Sequence, residues 1–325
     1  MKAYSIHRHG PASEVFETIS LPIPEPEEGE LLIRVKATSI NPLDIRIRTS
    51  SVKPRTFPLI LGYDVSGVVE KIGSSVINFK PNDRIYASPH VYRQGANAEY
   101  VVVKAALACQ MPEISFEAAA AVPLAGLTAW EALHDKLKIP SGETILIHGG
   151  AGGVGHFAIQ FAKLHGCKVI TTAGREESKE FCKKLGADLV LDYKEDWDEQ
   201  LKEKYKNGLQ YIFDTVGGDT FLRSGSLAAV NGNIVTILPV NYEKLGYTFL
   251  TRNINLFYEF MGVPSVYNIA PETQGKKLEI LKNFIEAGLL KPHIGKIFPF
   301  EKLAQAHEWM EREHTLGKIV VVSEP

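Results

Sequence analysis

The sequence predicts an α/β protein in which a β-rich domain is combined with a doubly wound parallel sheet domain. Three observations lead to this fold class. The chain has 325 residues, a length that fits two domains. Residues 1–122 contain short apolar runs between turn residues, as in a barrel or sandwich. From Thr144 onward, apolar strands alternate with amphipathic helices, which is typical of a parallel sheet with crossover helices.

The β-rich part begins with an alternating segment near Ala3, which predicts a first strand. Further strands are predicted where aliphatic residues cluster, at 31–35, 65–69 and 100–103. Turn residues separate these runs at 22–26, 81–83 and 95–97. After Pro112 the pattern changes, and Ser115 followed by small residues predicts a short helix.

The α/β part contains a series of predicted parallel strands with helices between them. The strands are expected at 144–148, 168–172, 189–191, 211–213 and 234–238. The first two crossover helices are expected at 153–165 and 176–185. Two amphipathic helices and a closing valine-rich strand are expected at 276–287, 303–313 and 317–322. The charge-dense segment 194–206 is predicted to be a solvated loop and helix.

The composition is that of an ordinary globular protein, and it excludes several classes of function. The formal net charge is −2, which gives no electrostatic footprint for nucleic acid or an anionic membrane. No apolar run approaches the roughly 18 residues of a membrane span. The first residues show neither the apolar run of a secretory signal nor the Arg- and Ser-rich composition of a transit peptide, so we expect no targeting signal there. Cys109, Cys167 and Cys182 form no C-x-x-C pair. Free thiols fit a reducing compartment, so we expect a cytoplasmic protein.

The strongest local signal is a turn with the spacing G-x-G-x-x-G, between a predicted strand and a predicted helix. Its first glycine permits a tight turn, its second lets the backbone approach a pyrophosphate, and its third allows close packing of helix and sheet. Amides at the helix start then bind the phosphates. A glycine turn without a ligand is the alternative. The predicted phosphate-binding residues are Gly150, Ala151, Gly152, Gly153, Val154 and Gly155.

The end of the second strand lacks the acidic residue that normally binds the ribose 2′-hydroxyl of NAD. Arg175 follows instead, Lys179 comes one helical turn later, and Tyr193 follows the third strand. Two cations and a phenol suit a 2′-phosphate, which predicts NADPH as the cofactor. The alternative is that Arg175 and Lys179 are ordinary solvated side chains of a helix.

Ordered segments along nearly the whole chain resemble one known family. They are 38–44 (TSINPLD), 62–67 (GYDVSG), 98–101 (AEYV), 119–130 (AAAVPLAGLTAW), 213–218 (FDTVGG) and 317–320 (GKIV). With the glycine turn, they resemble the medium-chain dehydrogenase/reductase superfamily, and within it the zinc-independent quinone oxidoreductase branch. The resemblance implies a GroES-like β-barrel domain at 1–122 and 290–325 and a Rossmann domain at 123–289. It also implies an active site in the cleft between these domains.

Zinc-dependent members of this superfamily hold a catalytic metal on Cys, His and Cys, with an acidic residue beside the His. In this chain Asn41 stands at the first cysteine region, Tyr63 and Asp64 at the His-Glu pair, and 124–126 at the second cysteine region. The structural cluster of four cysteines has no counterpart between residues 86 and 100. The sequence therefore predicts no metal site. Without zinc as a Lewis acid, the chemistry favours conjugated acceptors, which delocalise the charge of an incoming hydride.

The candidate catalytic residues are Asn41 and Tyr63. Asn41 is a candidate hydrogen-bond partner of the nicotinamide ribose or of a substrate oxygen. Tyr63 is a candidate proton donor, because a phenol is protonated at neutral pH; a packing tyrosine is the alternative. By resemblance, Thr128 would lie against the nicotinamide. Val216 and Leu238 complete the predicted cofactor-binding residues.

These observations predict an NADPH-dependent oxidoreductase that transfers hydride to quinones or α,β-unsaturated carbonyls without a metal. Two alternatives stay open. An enoyl-thioester reductase would carry a tyrosine in the loop after Asn41, and residues 45–52 contain none. A non-catalytic NADPH-binding protein with a structural or regulatory role is the other, as in the lens crystallin relatives. We expect a small conjugated carbonyl or quinone as substrate and a homodimer or homotetramer, with 247–261 as an interface or pocket wall.

Overall fold

The computed structural model describes residues 1–50 and 56–323, and the chain divides into two compact units. The first unit comprises Met1–Leu127 and Gly262–Pro325, and the second comprises Thr128–Met261. The second unit is thus inserted into the sequence of the first, and the chain returns to the first unit at its end.

Sixteen strands run through the described residues. They are β1 (Lys2–Ile6), β2 (Phe16–Ser20), β3 (Glu30–Ile40), β4 (Leu59–Ile60), β5 (Val65–Ile72), β6 (Arg84–Ala87), β7 (Tyr100–Lys104), β8 (Ala108–Gln110), β9 (Thr144–Ile147), β10 (Lys168–Thr172), β11 (Leu189–Leu191), β12 (Leu209–Asp214), β13 (Ala228–Thr236), β14 (Asn255–Tyr258), β15 (Ile294–Pro299) and β16 (Lys318–Val322).

The α-helices lie between these strands. They are α1 (Ala12–Val15), α2 (Pro42–Thr49), α3 (Phe116–Ala120), α4 (Pro123–Trp130), α5 (Gly155–Leu164), α6 (Glu176–Lys184), α7 (Trp197–Lys204), α8 (Gly218–Leu227), α9 (Gly246–Thr251), α10 (Val263–Tyr267), α11 (Glu272–Glu286) and α12 (Leu303–Arg312). A π-helical segment, Glu131–Lys136, continues α4. No helix within 1–50 and 56–323 is long and apolar enough to cross a membrane.

The first unit contains two sheets. In the larger one the strand order is β15-β16-β3-β5-β6-β8, and β7 also pairs with β3. Strand β3 pairs antiparallel with β16, β5 and β7, so it is the centre of this sheet. Successive side chains of a strand point to opposite faces of the sheet. On one face of β3, Leu31, Ile33 and Val35 belong to the same buried cluster as Val65 and Val69 of β5. A smaller sheet joins β2, β1 and β4.

The second unit contains a six-stranded parallel sheet with the order β11-β10-β9-β12-β13-β14. Counted from β9 as the first strand, this is the order 3-2-1-4-5-6 of a Rossmann sheet, which confirms the predicted α/β fold class. The strand order reverses at β9, between β10 and β12. Ligands of such sheets bind at this point, outside the carboxyl ends of the strands. The glycine turn follows β9 directly.

Helix α11 belongs to the first unit. The Gln274 side-chain amide donates to the Ser88 carbonyl at 2.9 Å, and the Tyr86 hydroxyl donates to the Leu278 carbonyl. The predicted Rossmann domain, 123–289, includes this helix, because an amphipathic pattern reveals an apolar face but not the surface that it covers. The compact units divide the chain after Leu127 and Met261. The domain bounds 1–122 with 290–325 and 123–289 stay a prediction.

A histidine of α12, His307, is fully buried in the first unit beside a buried arginine. Its ring lies edge-on to Phe16, with ring centroids 4.8 Å apart. The nearby Arg48 donates to the Gly10 carbonyl at 2.6 Å and pairs with Glu311 at 2.6 Å. Burial, together with the Arg48 cation, lowers the pKa of His307 from 6.5 to about 3. The folded protein therefore holds this ring in its neutral form at pH 7.

The stability of the protein is expected to fall as the pH is lowered below about 6.5, and His307→Phe should reduce that loss. Below this pH His307 takes up a proton in the unfolded chain, whereas in the folded chain its ring stays neutral down to about pH 3. Between about pH 7.5 and about pH 5, His307 should contribute a loss of about 2 kcal/mol. Urea unfolding of both proteins at the two pH values measures the difference.

Phe16→Leu is the control for this experiment. It removes the ring contact but keeps the titrating group, so it should lower the free energy of unfolding equally at both pH values. The same pH dependence in wild type and His307→Phe would contradict a neutral His307 in the folded state.

Candidate functional site

The glycine turn is held by the neighbouring strand β10. The Gly149 amide donates to Thr172 Oγ1 at 3.1 Å, and the Gly150 amide donates to the Thr172 carbonyl at 3.3 Å. The carboxyl end of β10 therefore fixes the start of the turn before α5 begins at Gly155. The rest of the predicted turn consists of Ala151, Gly152, Gly153 and Val154.

The three motif glycines have different surroundings. A Cβ at Gly150 would lie 2.1 Å from Thr171 Oγ1, and one at Gly155 would lie 2.2 Å from the Gly149 carbonyl oxygen. The protein itself closes these two positions. Among the described residues, a Cβ at Gly152 would meet only the Gly149 oxygen, at 3.3 Å, so this glycine faces open space. The open side lies at the start of α5, where unsatisfied amides favour an anion, and it fits a pyrophosphate.

The residues predicted to bind a 2′-phosphate gather where β10 and β11 end. Gly174 lies against the Tyr193 ring, because a Cβ on Gly174 would come within 2.4 Å of Tyr193 Cζ. Arg175 is the residue before α6. Lys179 Nζ pairs with Asp192 at 2.9 Å, and this hydrogen bond raises the pKa of Lys179. Sequence reasoning missed Asp192, which engages one of the two predicted cations.

Three further predicted cofactor residues, Val216, Leu238 and Thr128, also lie in the second unit, whereas Asn41 lies in the first. The Val216 amide, after β12, donates to Asp214 Oδ1 at 3.1 Å. Leu238 follows β13, and its side chain packs directly on Gly217. Both residues therefore stand at the carboxyl ends of parallel strands, as the glycine turn does. Thr128 is buried near the end of α4.

Sequence reasoning also missed His148, the residue before the turn. Its ring is fully buried, with Nε2 2.9 Å from Ser224 Oγ and Nδ1 3.3 Å from Thr172 Oγ1. Burial lowers the pKa of His148 from 6.5 to about 3, so the imidazole is neutral. The one available signal was a polar residue at the end of an apolar strand, directly before the glycines.

In the first unit, the fully buried carboxylate of Asp64 accepts hydrogen bonds from several segments. Its Oδ2 accepts from Ser39 Oγ at 2.5 Å and from Asn41 Nδ2 at 2.8 Å. Its Oδ1 accepts from the Leu124 amide at 2.7 Å. Lys318 Nζ lies 3.3 Å from Oδ2, and Lys318 also donates to Asn41 Oδ1. We call these five residues the Asp64 network.

Asn41 stands immediately before α2 and is bonded at both ends of its side chain within the Asp64 network. Its backbone amide donates to Asp44 Oδ2 at 2.9 Å, and the Gly62 amide donates to Asp44 Oδ1 at 2.9 Å. Burial raises the pKa of the Asp44 carboxyl to about 7, although these two hydrogen bonds by themselves lower it. Asn41 is 2% exposed, and its contact with nicotinamide or substrate stays a prediction.

Tyr63 lies in an apolar cluster of the first unit. It is 1% exposed and belongs to a cluster with Ile6, Ile47 and Leu61. Its carbonyl accepts from the Ser88 hydroxyl at 2.7 Å. This burial favours the packing interpretation that the sequence left open, and the role of Tyr63 as proton donor stays a prediction.

The segments that correspond to the zinc ligands of zinc-dependent relatives meet in the Asp64 network. Asn41, Asp64 and Leu124 come from these segments, and Lys318 comes from the last strand. An ammonium donates hydrogen bonds and cannot coordinate a metal. Within residues 1–50 and 56–323, no three His, Cys, Asp or Glu side chains form a group that could hold a metal ion. These residues do not fit a catalytic zinc.

The sequence matches two family profiles. Residues 27–113 match the alcohol dehydrogenase GroES-like domain, and residues 153–270 match the zinc-binding dehydrogenase domain. A zinc-type alcohol dehydrogenase-like protein of Staphylococcus aureus is 37% identical over 311 residues, which cover 92% of each chain. The quinone oxidoreductase of Coxiella burnetii is 32% identical with a TM-score of 0.86, and the match covers 100% of this chain and 99% of that one. The chain belongs to the medium-chain dehydrogenase/reductase superfamily, in its quinone oxidoreductase-like branch.

Proteins of this superfamily combine the two kinds of domain that the two family profiles match. A mycobacterial protein solved in complex with NADPH is 29% identical with a TM-score of 0.87, and the match covers 99% of each chain. The predicted family is confirmed, as are its GroES-like N-terminal domain and its Rossmann-type domain. The protein is therefore a medium-chain oxidoreductase that uses a nicotinamide cofactor.

Lys318→Met is expected to lower the free energy of unfolding by about 3–5 kcal/mol, because it leaves the buried Asp64 carboxylate without its cation. Asp64→Asn should be similarly costly, since it leaves the ammonium unpaired. The double variant buries neither charge, so its loss should be smaller than the sum of the two single losses. Urea unfolding of the four proteins measures this coupling.

Lys71→Met is the matched control, because Lys71 pairs with Glu25 at 2.9 Å on the surface, with more than half of each side chain exposed. Little change in stability is expected there. Simple additivity of the Lys318 and Asp64 losses would contradict the buried ion pair.

Proposed function

We propose that this oxidoreductase reduces quinones or α,β-unsaturated carbonyls with NADPH and without zinc. The observation that carries the proposal is the Asp64 network. It joins the segments that correspond to the zinc-ligand segments of zinc-dependent relatives to Lys318 of the last strand, whose side chain is 3% exposed. The charge of a buried ammonium opposes a second cation in the same place.

A site without a Lewis acid limits the acceptors that can be reduced. An isolated carbonyl needs its oxygen polarised as hydride arrives, which zinc does in metal-dependent enzymes. A quinone or an enone spreads the developing charge over its conjugated system and takes a proton afterwards. The nicotinamide supplies the hydride when it is bound. The chain itself then has to position the acceptor and exclude water.

Asn41 and Tyr63 are the proposed catalytic residues. The amide of Asn41 has a defined direction, because Lys318 donates to its oxygen and Asp64 accepts from its nitrogen. Tyr63 is proposed as the proton donor, since a protonated phenol is a suitable general acid at neutral pH. Because the ring is buried, the acceptor must reach its hydroxyl directly or through a water molecule.

Arg175 carries the proposed preference for NADPH. Arg175 directly precedes α6 and follows Gly174, which lies against the Tyr193 ring, and Lys179 of the same helix is bonded to Asp192. A guanidinium binds phosphate through two parallel hydrogen bonds. Asp192 accepts from Lys179 and from the Lys194 amide, and it follows β11 rather than β10, the strand after which the acidic residue that binds the 2′-hydroxyl of NAD normally stands.

Strand β14 and helix α9 support a homodimer or homotetramer. β14 is the last strand of the parallel sheet. Nearby in sequence, Tyr247 and Leu250 are 81% and 74% exposed. Open sheet edges with exposed apolar groups are typical of protein contact surfaces. The proposed partners are thus a small conjugated acceptor and further copies of the chain, and a cytoplasmic location remains the expectation.

Arg175→Ala is expected to weaken NADPH binding by about 1.5–3 kcal/mol, the worth of a charged hydrogen bond, and to leave NADH binding nearly unchanged. The reason is that only NADPH carries the 2′-phosphate. Calorimetric titration of both cofactors into wild type and variant measures the two dissociation constants.

Lys184→Ala serves as the control, since Lys184 is exposed at the other end of α6. It removes a cation from the same helix and should leave both cofactors unaffected. Equal losses of NADPH and NADH affinity in Arg175→Ala would show that Arg175 does not read the 2′-phosphate.

The purified, zinc-free enzyme is expected to oxidise NADPH with a quinone, a 2-alkenal or an enone and to show little activity with a primary alcohol and NADP⁺. Tyr63→Phe should lower turnover of the enone by roughly 10²–10⁴-fold, the usual range for a lost general acid. Steady-state rates with each acceptor, and elemental analysis of the same samples, provide the measurements.

The other outcomes separate the alternatives. Fast turnover of the alcohol with inert conjugated acceptors would overturn the proposed reaction, and one tightly held zinc per chain would overturn its metal-free character. Turnover confined to an enoyl thioester would identify an enoyl-thioester reductase. Tight NADPH binding without turnover of any acceptor would identify a structural or regulatory protein. A change below about tenfold in Tyr63→Phe would assign Tyr63 to packing, with the proton coming from solvent.

A further inference from the structure

His148 stands in the middle of a hydrogen-bonded chain within the second unit. The chain begins at the first amide of the glycine turn and ends in helix α8. Its members, in order, are Gly149, Thr172, His148, Ser224 and Thr220, and its hydrogen bonds measure 2.7–3.3 Å. We call this set the His148 chain.

The hydrogen bonds of the His148 chain have one consistent direction. Ser224 Oγ donates its single proton to the Thr220 carbonyl at 2.7 Å, so it accepts from His148 Nε2. His148 therefore carries its proton on Nε2, and its Nδ1 is an acceptor. Thr172 Oγ1 accepts from the Gly149 amide and directs its own proton towards Nδ1.

The surroundings keep the imidazole neutral. The ring is fully buried and lies edge-on to Trp197, with ring centroids 4.8 Å apart. A second proton on Nδ1 would meet the hydroxyl proton of Thr172, which already points at this nitrogen. The direction of the hydrogen bonds therefore persists through neutral and mildly acidic pH, in agreement with the lowered pKa of His148.

The backbone of His148 is also held by a neighbouring strand. Its amide donates to the Phe213 carbonyl at 2.9 Å, and its carbonyl accepts from Thr215 Oγ1 at 2.7 Å. His148 thus connects the end of β9 to β10 and α8 through its ring and to β12 through its backbone. The carboxyl ends of β9, β10 and β12 are followed by the glycine turn and by further residues predicted to bind the cofactor.

We propose that His148 is a positioning residue for cofactor binding, which acts through Thr172 and Gly149 on the direction of the glycine turn. The proposal rests on the proposed role of this turn in binding the pyrophosphate. Gly149 has a φ of +66°, a conformation that glycine can leave easily because it has no Cβ. The hydrogen bond from its amide to Thr172 restrains it, and His148 fixes the rotamer of the Thr172 hydroxyl.

The comparison of His148→Phe with His148→Gln tests this role. Phe fills the space but has neither donor nor acceptor, whereas the Gln side chain has both. His148→Phe is expected to raise the Kd and the KM of NADPH about tenfold, with kcat changed less than about threefold. His148→Gln should return the Kd to within about threefold of wild type. Fluorescence titration with NADPH gives the Kd values, and steady-state kinetics give the KM and kcat values.

Ser224→Ala is a smaller change, and it provides a test even if the His148→Phe protein fails to fold. It keeps the ring and removes the acceptor of its Nε2 proton, together with the hydrogen bond from Ser224 to the Thr220 carbonyl. The Kd of NADPH should rise about threefold to tenfold. Wild-type affinity in Ser224→Ala and in any folded His148→Phe protein would overturn the proposal. Equal losses in the Phe and Gln variants would also overturn it, because they would show a packing role.

Gly152→Val distinguishes this proposal from the assignment of the turn itself. The added side chain would occupy the open space at Gly152, where a Cβ meets only one atom, at 3.3 Å. A Kd raised more than about 100-fold in a folded protein is expected, because the side chain would hold the pyrophosphate away. Normal binding by Gly152→Val would overturn the proposed cofactor site. Lost binding there, together with wild-type affinity in the His148 and Ser224 variants, would overturn only the positioning role.

Discussion

An unexposed carboxylate, that of Asp64, decides how the first unit can be assembled. A charge removed from water requires hydrogen-bond donors and a cation. The cation is Lys318, 254 residues further along the chain, and the donors are Ser39, Asn41 and the Leu124 amide. Strand β16 therefore has to return to β3, and the start of α4 has to reach Asp64, before the charge is compensated. The return of β16 to β3 and the fixed direction of the Asn41 side chain thus both contribute to the compensation of this one charge.

In the second unit, buried polar side chains are likewise held by hydrogen bonds between segments. The His148 chain bonds the end of β9 to β10 and α8. Asp214 accepts from the Gly217 amide and from Thr236 Oγ1 at the ends of β12 and β13. The turn is open at Gly152, where no side chain within residues 1–50 and 56–323 approaches the position of a Cβ. The same hydrogen bonds that complete the sheet therefore shape the surface that suits a dinucleotide.

The proposed chemistry follows from the kind of charge that the Asp64 network contains. A metal ion would offer an open coordination position to a substrate oxygen. The Lys318 ammonium is instead bonded to Asn41 and Asp64, and it holds the Asn41 amide in one direction. Such a site contributes position and hydrogen bonding but no strong polarisation of a carbonyl. Conjugated acceptors, which need little polarisation, are the substrates that this arrangement suits.

Local patterns were sufficient for the fold class, because strand and helix periods and turn residues act over a few neighbouring positions. Strands β10 and β11 have the bounds that their pattern predicts, and the glycine spacing located the turn. The same patterns did not show that Lys179 is engaged by Asp192, that Lys318 reaches Asp64, or that Tyr63 is buried. Each of these facts depends on residues that are distant in sequence and meet only when strands pair and helices pack. Motifs can therefore locate a turn between a strand and a helix, whereas the compensation of buried charge is decided by long-range contacts.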